Sequence, residues 1–483
     1  MKKKLLLIAG ILLLALAFTA CGSDDPPAAA DAGTGNGGGA VTTDGAGGVA
    51  TLDPVNLTFT FWGSPAERSA VEGMMRAFEA LHPNVTIDAR HIPADYDVVI
   101  RTMIAGGEAP DLGYLGGQVA LEWAQDGIIA DLYGLIAADP YFHIDDFMAP
   151  VFYRTMDGSI VGFNSALVMF GLYYNVDMFE AAGLAPPPKT VAEAWTWDEM
   201  LDVAMTLTRD RSGNNAHSPA FNPDDVVTFG MNIGTWWAAY MNFVYSAGGS
   251  FVSDCGTQFT LADPPGVRAL QMVADLMHVH RVSPTPVQRE IVPHPSIALL
   301  TEQVAMTVDG NWILLDLAQA HVDEGLNFGV GVLPVIEQYR RVFLGAPTVI
   351  FADSPNIPWA YELLKFTSLP SSYLGIFRDG LWKPLMREWY TDEDLFAQWA
   401  GPDNPARPEG FDTVFRDVLL MEDEPMPAIE YYLVNMHDVF NILNPSLDRA
   451  WLGEVSMYEA LNDVRADVEA VLGGRWPGGT WPD

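Results

Sequence analysis

Basic residues are scarce in this sequence. Lysine and arginine number 25 against 62 aspartates and glutamates, which gives a formal net charge of −37. A surface of this charge repels phosphate backbones and anionic headgroups, so the composition excludes a nucleic-acid-binding protein. It also disfavours a strongly anionic ligand, although one well-placed arginine, such as Arg378, would suffice for a carboxylate.

Motifs of catalysis and metal binding are missing as well. The chain has no G-x-S-x-G turn and no Walker A loop, and it has no G-x-G-x-x-G fingerprint between a predicted strand and a helix. His278 and His280 have no cysteine or H-E-x-x-H frame beside them, so they do not predict a zinc site. The acidic residues show no recognisable glycosidase frame. We therefore predict no enzyme activity, no metal and no cofactor.

Apolar residues, by contrast, are abundant. They make up 49% of the 483 residues, and 11% are aromatic, which is typical of a folded globular chain. A chain of this length is expected to form two cores rather than one.

The N-terminus has the pattern of a secretion signal. Lys2, Lys3 and Lys4 precede the apolar run 5–18, which is shorter than a membrane-spanning helix requires. Small residues then stand directly before Cys21, a pattern that resembles the lipobox of bacterial lipoproteins. This resemblance implies a signal peptide at 1–20 and lipid attachment to Cys21; the alternative is an ordinary secretory signal.

A glycine- and alanine-rich segment follows the signal. Residues 21–56 contain almost nothing large enough to bury, which predicts a flexible tether, and the folded body is expected to begin near Leu57. With Cys21 lipidated, Cys255 has no disulfide partner. No histidine or acidic motif surrounds it, so we interpret Cys255 as a small buried hydrophobic residue.

The start of the folded body has the pattern of a strand, a helix and a second strand. Residues 57–62 alternate apolar residues with threonine, Ser64 and Glu67 form a capping box, and a second strand is expected at 85–87. The apolar stripe of the helix consists of Val71, Met74, Met75, Phe78 and Leu81. This order predicts a parallel sheet in an α/β fold, with ligands beyond the carboxyl ends of the strands.

Several segments, taken in order, resemble the family 1 extracellular solute-binding proteins, which include the maltose- and oligosaccharide-binding proteins of ABC importers. The most specific are the run LYYN…F…AGL…P…TW at 172–197 and VAMTVDGNW at 304–312. Others are RAFEALHPNVTID at 76–88, GEAPDL at 107–112, YSAGGSFV at 245–252 and GVGVLPV at 329–335. The resemblance extends over roughly 57–470, which is essentially the whole folded body.

This resemblance implies a type II periplasmic-binding-protein fold, in which two α/β lobes joined by hinge segments hold the ligand in the cleft between them. The chain is expected to cross between the lobes near 165–171, 344–347 and 378–384. The lobe boundaries that follow are 57–166 plus 346–380 for lobe 1 and 167–345 plus 381–475 for lobe 2.

The resemblance also implies a function. It describes a monomeric lipoprotein on the outer face of the cytoplasmic membrane, which captures a sugar or oligosaccharide and delivers it to the permease subunits of an ABC importer. Two alternatives stay open: a binding protein for an amino acid, a polyamine or iron, and a surface adhesin or sensor without a transport role. Tyr173 and Tyr174 are the candidate iron ligands, but they match the family's YN position and are expected to pack within a strand.

A sugar is best held by flat aromatic side chains together with a few polar groups that bond its hydroxyls. Trp62 stands at the end of the first predicted strand, and Trp312 occupies the GNW position where the resemblance implies stacking on sugar. Asp309 is expected to accept a hydrogen bond from a sugar hydroxyl. The other candidates lie near expected crossings, turns or aromatic positions of the family, and they are Tyr114, Asn164, Trp236, Trp237 and Trp382. For each tryptophan, the hydrophobic core is the alternative location.

Overall fold

The computed structural model describes residues 53–142, 144–148, 152–421 and 426–478, and these form one compact unit. Cys21, the expected signal and most of the expected tether lie outside the described residues. No helix in the described ranges is long and apolar enough to cross a membrane.

The described residues contain twelve strands, ten of which form one mixed sheet. In chain order the strands are β1 Val55–Phe61, β2 Val85–His91, β3 Leu112–Tyr114, β4 Phe152–Arg154, β5 Ile160–Asn175, β6 Arg209–Asp210, β7 Val226–Thr228, β8 Asn232–Ile233, β9 Met306–Gly310, β10 Phe328–Gly331, β11 Val342–Ile350 and β12 Met426–Pro427. The main path through the large sheet is β2-β1-β3-β11-β5-β9-β8, and β6 pairs with β7 separately.

Helices cover the sheet. The α-helices of the described residues are α1 Pro65–Leu81, α2 Tyr96–Ala105, α3 Gly117–Gln125, α4 Tyr133–Ala138, α5 Val176–Ala182, α6 Trp197–Leu207, α7 Trp237–Ser246, α8 Pro264–His278, α9 Pro286–Arg289, α10 Pro295–Leu300, α11 Leu314–Glu324, α12 Ile357–Ser368, α13 Gly375–Arg378, α14 Glu388–Thr391, α15 Glu393–Trp399, α16 Met436–Trp451, α17 Met457–Asp463 and α18 Arg465–Val471.

The predicted strand–helix–strand unit is confirmed. β1 pairs in parallel with β2 along its whole length and with β3 on its other side. The Ser64 hydroxyl caps α1 by accepting the backbone N–H of Glu67. Four residues of the expected apolar stripe are buried, but Leu81, the last residue of the helix, is 64% exposed and does not belong to the core. The carboxyl ends of β1 and β3 therefore meet at one edge of the sheet.

β5 connects the two halves of the large sheet. Its residues 163–169 pair with antiparallel β11, and its residues 170–174 pair with antiparallel β9. Every residue of β5 is buried, which explains its continuous apolar sequence. Tyr173 and Tyr174 lie within this strand, as the packing interpretation predicts.

The three segments expected to cross between lobes lie next to each other at β5. Residues 165–171 belong to β5, and residues 344–347 belong to its partner β11. The third segment is attached where the N–H of Leu167 donates to the carbonyl of Lys383 at 3.0 Å. The Lys383 side chain is fully buried with its ammonium group 4.8 Å from the ring centroid of Phe411, and burial lowers its pKa to about 7.

Cys255 is exposed, which corrects the expectation of a buried side chain. It lies in the polar turn Ser253–Thr257 between α7 and α8, and such a turn has no apolar side chains with which to enter the core. The hydroxyls of Ser253 and Thr257 lie 3.3 and 2.9 Å from its sulfur and lower its pKa to about 7.

Candidate functional site

A cavity of about 460 Å³ lies at the carboxyl ends of β1, β3 and β9. Trp62 directly follows β1, Tyr114 ends β3, and Trp312 lies in the 3₁₀ turn Asn311–Ile313 after β9. Val168 of β5 and residues of β11 also line it. Its walls carry six aromatic side chains, all of them predicted site residues: Trp62, Tyr114, Trp236, Trp237, Trp312 and Trp382.

One group of rings is centred on Tyr114. Its ring centroid lies 5.0 Å from that of Trp62 and 6.2 Å from that of Trp382. Tyr114 and Trp382 are almost fully buried, whereas Trp62 is half-buried and is the ring of this group that offers surface to a ligand. The Tyr114 hydroxyl has no hydrogen-bond partner among the described residues, and burial holds its pKa well above the ordinary value. It is therefore a protonated donor that lacks an acceptor.

The other group of rings is centred on Trp236, at the N-terminus of α7. Its ring centroid lies 5.7 Å from that of Trp237 and 6.0 Å from that of Trp312. Trp236 is 43% exposed, and the other two rings are half-buried. Gly310 makes the position of Trp312 possible, because a Cβ atom there would lie 2.1 Å from the indole ring. The glycine of the GNW motif thus lets this ring fold back over its own backbone.

Two carboxyl groups, Glu67 and Asp316, line the cavity near the start of α1. Burial, followed by the negative charge of Asp316, raises the pKa of Glu67 to about 8. Burial also raises the pKa of Asp316, while the His294 side chain and a long hydrogen bond of 3.4 Å from the Ser64 hydroxyl act in the opposite direction. The two acids therefore share a partly desolvated space.

A third carboxyl group, Glu430, lines the cavity from the segment after β12. It accepts hydrogen bonds from the backbone N–H of Gly117, the first residue of α3, and from the Tyr153 hydroxyl, each at 3.2 Å. It is 7% exposed, and burial raises its pKa to about 7.

Sequence reasoning did not assign these three acids to the site. It accounts for Glu67 by helix capping, yet the carboxyl group of Glu67 lines the cavity. Asp316 lies in the first turn of α11, four residues after Trp312. Because residues four apart on a helix are neighbours, this spacing could have placed Asp316 beside the predicted Trp312 site. Glu430 comes from a distant part of the chain, and no local pattern marks it.

Asn164 and Asp309 do not line this cavity, although both are predicted site residues. Asn164 is fully buried in β5, where its amide bonds the Tyr431 hydroxyl. Gly345 of β11 lies directly against it and occupies the cavity wall. The Asp309 carboxylate accepts the backbone N–H of Gly310 at 2.8 Å, and burial raises its pKa to about 7. Both side chains are thus used within the protein.

Two further cavities adjoin this one and share lining residues with it. A cavity of about 430 Å³ shares Trp62 with it and adds Asp95 and Asp97. Another of about 430 Å³ shares Asp316 and adds Glu324. Acidic side chains therefore line all three cavities.

The sequence matches the family model of the bacterial extracellular solute-binding proteins over residues 62–371, which is more than half of the chain. The chain belongs to this family.

Curated relatives match only part of this solute-binding protein. Over 140 residues it is 31% identical to a Brucella abortus protein whose name describes it as a binding protein. The match covers 28% of this chain and 31% of that protein, so the chain spans about a third of the length of the curated relatives it matches. The family and these relatives are described as binding proteins and not as enzymes.

Solved structures of the same fold cover most of the solute-binding protein. An ABC substrate-binding protein from Listeria monocytogenes in complex with cycloalternan is 20% identical, with a TM-score of 0.72, and the match covers 86% of this chain and 99% of that one. The GacH receptor of Streptomyces glaucescens, studied unliganded and with acarbose, is 19% identical, with a TM-score of 0.69 and coverage of 87% and 99%. Maltose-bound MalE3 of T. maritima is 19% identical, with a TM-score of 0.69, and the match covers 86% of this chain and 100% of that one. The predicted two-lobed fold is confirmed.

Proposed function

We propose that this solute-binding protein captures a sugar or oligosaccharide in the aromatic cavity and delivers it to the permease of an ABC importer. The observation that carries the proposal is the pair of aromatic groups, centred on Tyr114 and Trp236, at the carboxyl ends of strands. Flat rings pack on the C–H faces of a sugar, and carboxyl groups bond its hydroxyls. That a structure of this fold holds maltose supports the same assignment.

Trp62 and Trp312 are the proposed stacking platforms, because each offers ring surface at the end of a strand. Trp236 and Trp237 extend the platform of Trp312, while Tyr114 packs against both Trp62 and Trp382. Asn164 and Asp309 have protein partners, and we assign them to supporting roles.

The proposed lobes are 57–166 plus 346–380 and 167–345 plus 381–475. In this division Trp62 and Trp312 come from different lobes, and the ligand lies between them. Ligand binding is proposed to favour a closed state by bending at β5, β11 and the segment at 378–384. The protein is proposed to be a monomer held at the cell surface through lipidated Cys21.

A thermal-shift screen of the purified chain tests the assignment. The panel contains mono-, di- and oligosaccharides, amino acids, polyamines and ferric citrate. A ligand that binds only the native state raises the free energy of unfolding by about 2.7 kcal/mol at a hundredfold excess over Kd, and the melting temperature rises with it. We expect a rise with a carbohydrate. A rise only with amino acids, polyamines or iron would refute the sugar assignment, and no rise at all would favour the adhesin or sensor alternative.

Two tryptophan variants test the platforms. Trp62→Ala and Trp312→Ala are each expected to weaken binding of the ligand found by about 10- to 100-fold, since truncating a central aromatic contact typically costs 2 kcal/mol or more. Tyr458→Ala is the control, because Tyr458 is 63% exposed on α17 and lines none of the three adjoining cavities. Unchanged affinity in both tryptophan variants would place the site elsewhere.

A further inference from the structure

The ionisable side chains that line the three adjoining cavities are almost all acidic. The central cavity contains Glu67, Asp316 and Glu430. One adjoining cavity adds Asp95 and Asp97, and the other adds Glu324. Among the described residues, no lysine or arginine lines any of the three cavities, and His294 is the one basic side chain in their walls.

The arginine considered for a carboxylate ligand is not in this cleft. Arg378 lines a separate cavity beside Asp379, and its Nε donates to the carbonyl of Gln398 at 2.6 Å. A negatively charged ligand would therefore meet carboxylates in the cleft without a compensating cation, which is energetically costly in a desolvated space.

The aromatic side chains in the cavity walls also favour a positively charged ligand. The face of an indole or phenol ring carries the negative part of its quadrupole and attracts an ammonium group within about 6 Å. Six such rings line the same cavity as the acids Glu67 and Asp316. Burial makes both acids costly to ionise, and the charge of Asp316 adds to this cost for Glu67. A cation bound between them would restore the charge balance that each acid otherwise gains by taking up a proton.

The Tyr114 hydroxyl is a further unmatched polar group. Its side chain is 1% exposed and lines the cavity, and no hydrogen-bond partner is found for it in the described part of the chain. Buried hydroxyls are rarely left without a partner, so this one points to a polar group supplied by a ligand. It lies in the same wall as Trp62, beside the space that Glu67 faces.

We propose that the ligand is an amine-bearing carbohydrate, an amino sugar or an oligosaccharide of amino sugars, whose ammonium group binds next to Glu67 and Asp316. This inference rests on the proposed function, since it keeps the sugar rings on Trp62 and Trp312 and adds a positive charge. The further acids that line the two adjoining cavities suit a ligand that carries more than one amine.

Matched pairs of sugars test the inference by calorimetric titration of the full chain. In each pair, one member carries an amine where the other carries a hydroxyl: glucosamine with glucose, galactosamine with galactose, and the glucosamine dimer and longer oligomers with cellobiose and its oligomers. At about pH 6 the amines are charged. In the pair whose sugars bind, we expect the amine-bearing sugar to bind at least 10-fold more tightly than its neutral counterpart.

The outcomes separate the two proposals. If a neutral sugar binds as tightly as its amine-bearing partner, the inference is wrong and the carbohydrate function stands. If spermidine or choline binds and no sugar does, the cleft takes an organic cation but both carbohydrate proposals are wrong. If no member of the panel binds, both are wrong as well.

Charge variants test the assigned residues. The ratio of affinities between the amine-bearing and the neutral sugar is expected to fall at least 10-fold in Glu67→Gln and in Asp316→Asn. Glu180→Gln is the control, since Glu180 is exposed on α5 and lines none of the three cavities. Because the melting temperature of each variant reports its folding, an unchanged ratio in folded Glu67→Gln and Asp316→Asn would overturn the assignment.

Discussion

Single residues decide whether the cleft can present a ring to a ligand. Trp312 lies against the backbone of Gly310, and Trp62 lies against the ring of Tyr114. Its place at a strand end made Trp62 recognisable in the sequence, and the GNW position of the family resemblance did the same for Trp312. The acids beside them were not, because the charge of a side chain does not show which way it points. Glu67 donates its backbone N–H to the Ser64 cap, while its side chain lines the cavity.

Gly310→Ala tests the link between Gly310 and the ring of Trp312. The added methyl group would lie 2.1 Å from the indole, so the ring must move. We expect affinity for the bound ligand to fall by about 10-fold, as for partial loss of one aromatic contact, with a smaller effect on stability.

Calorimetry against Gly134→Ala provides the comparison. Gly134 lies in α4, and a Cβ atom there would have nothing within 4 Å. This control is expected to bind normally. If Gly310→Ala binds as tightly as the parent chain, Trp312 is not held in its binding position by that glycine.

At the scale of elements, the centre of the molecule is β5 with the strands and segments attached to it. Local patterns predicted β1, α1 and β2, because apolar periodicity and capping residues are adjacent in sequence. The packing of β11 and of Lys383 against β5 joins residues about two hundred positions apart, and no local pattern reports it. The family resemblance supplied that information instead.

Lys383→Met is expected to stabilise the protein at neutral pH. Burial lowers the pKa of Lys383 from 10.5 to about 7, so between these values the unfolded chain holds a proton that the native state has lost. Stability of the parent chain should therefore rise as the pH increases from about 7 towards 10.5, and it is lowest where the buried amine is charged. Replacing this amine by an apolar side chain is expected to add about 1–4 kcal/mol at pH 7.

Urea unfolding at about pH 7 and pH 9.5 measures this effect. The advantage of Lys383→Met should shrink at the higher pH, whereas Lys189→Met, at a more exposed lysine, should show no such change. A variant less stable than the parent chain at pH 7 would show that the contacts of the ammonium group with Phe411 and its neighbours outweigh the cost of burial.

At the scale of the whole molecule, a net charge of −37 favours solubility and attracts cations. The proposed tether and anchor would place this charged body above a membrane. The fold is shared with proteins only 19–20% identical to it, so the architecture tolerates wide changes in sequence.

Cys21→Ser tests the anchor. Without the sulfur that would carry lipid, the protein is expected to leave the membrane fraction of the cells and appear in the soluble fraction or the medium. Cell fractionation with an antibody against the chain measures this. Cys255→Ser is the matched control and should remain with the membrane, because Cys255 lies in a surface turn of the folded body. Membrane retention of Cys21→Ser would refute the lipid anchor.

The sequence by itself determined the family, the two-lobed α/β fold and six aromatic residues of the cavity. The order of motifs and short-range apolar periodicity can be read from a single sequence. Only the tertiary structure decided which side chains share the cavity. It brought Glu430 and Trp62 into the wall of one cavity and buried Asn164 against Gly345, because these arrangements depend on how distant segments pack around β5. It also placed Cys255 at the surface, since burial depends on where a turn lies and not on its cysteine.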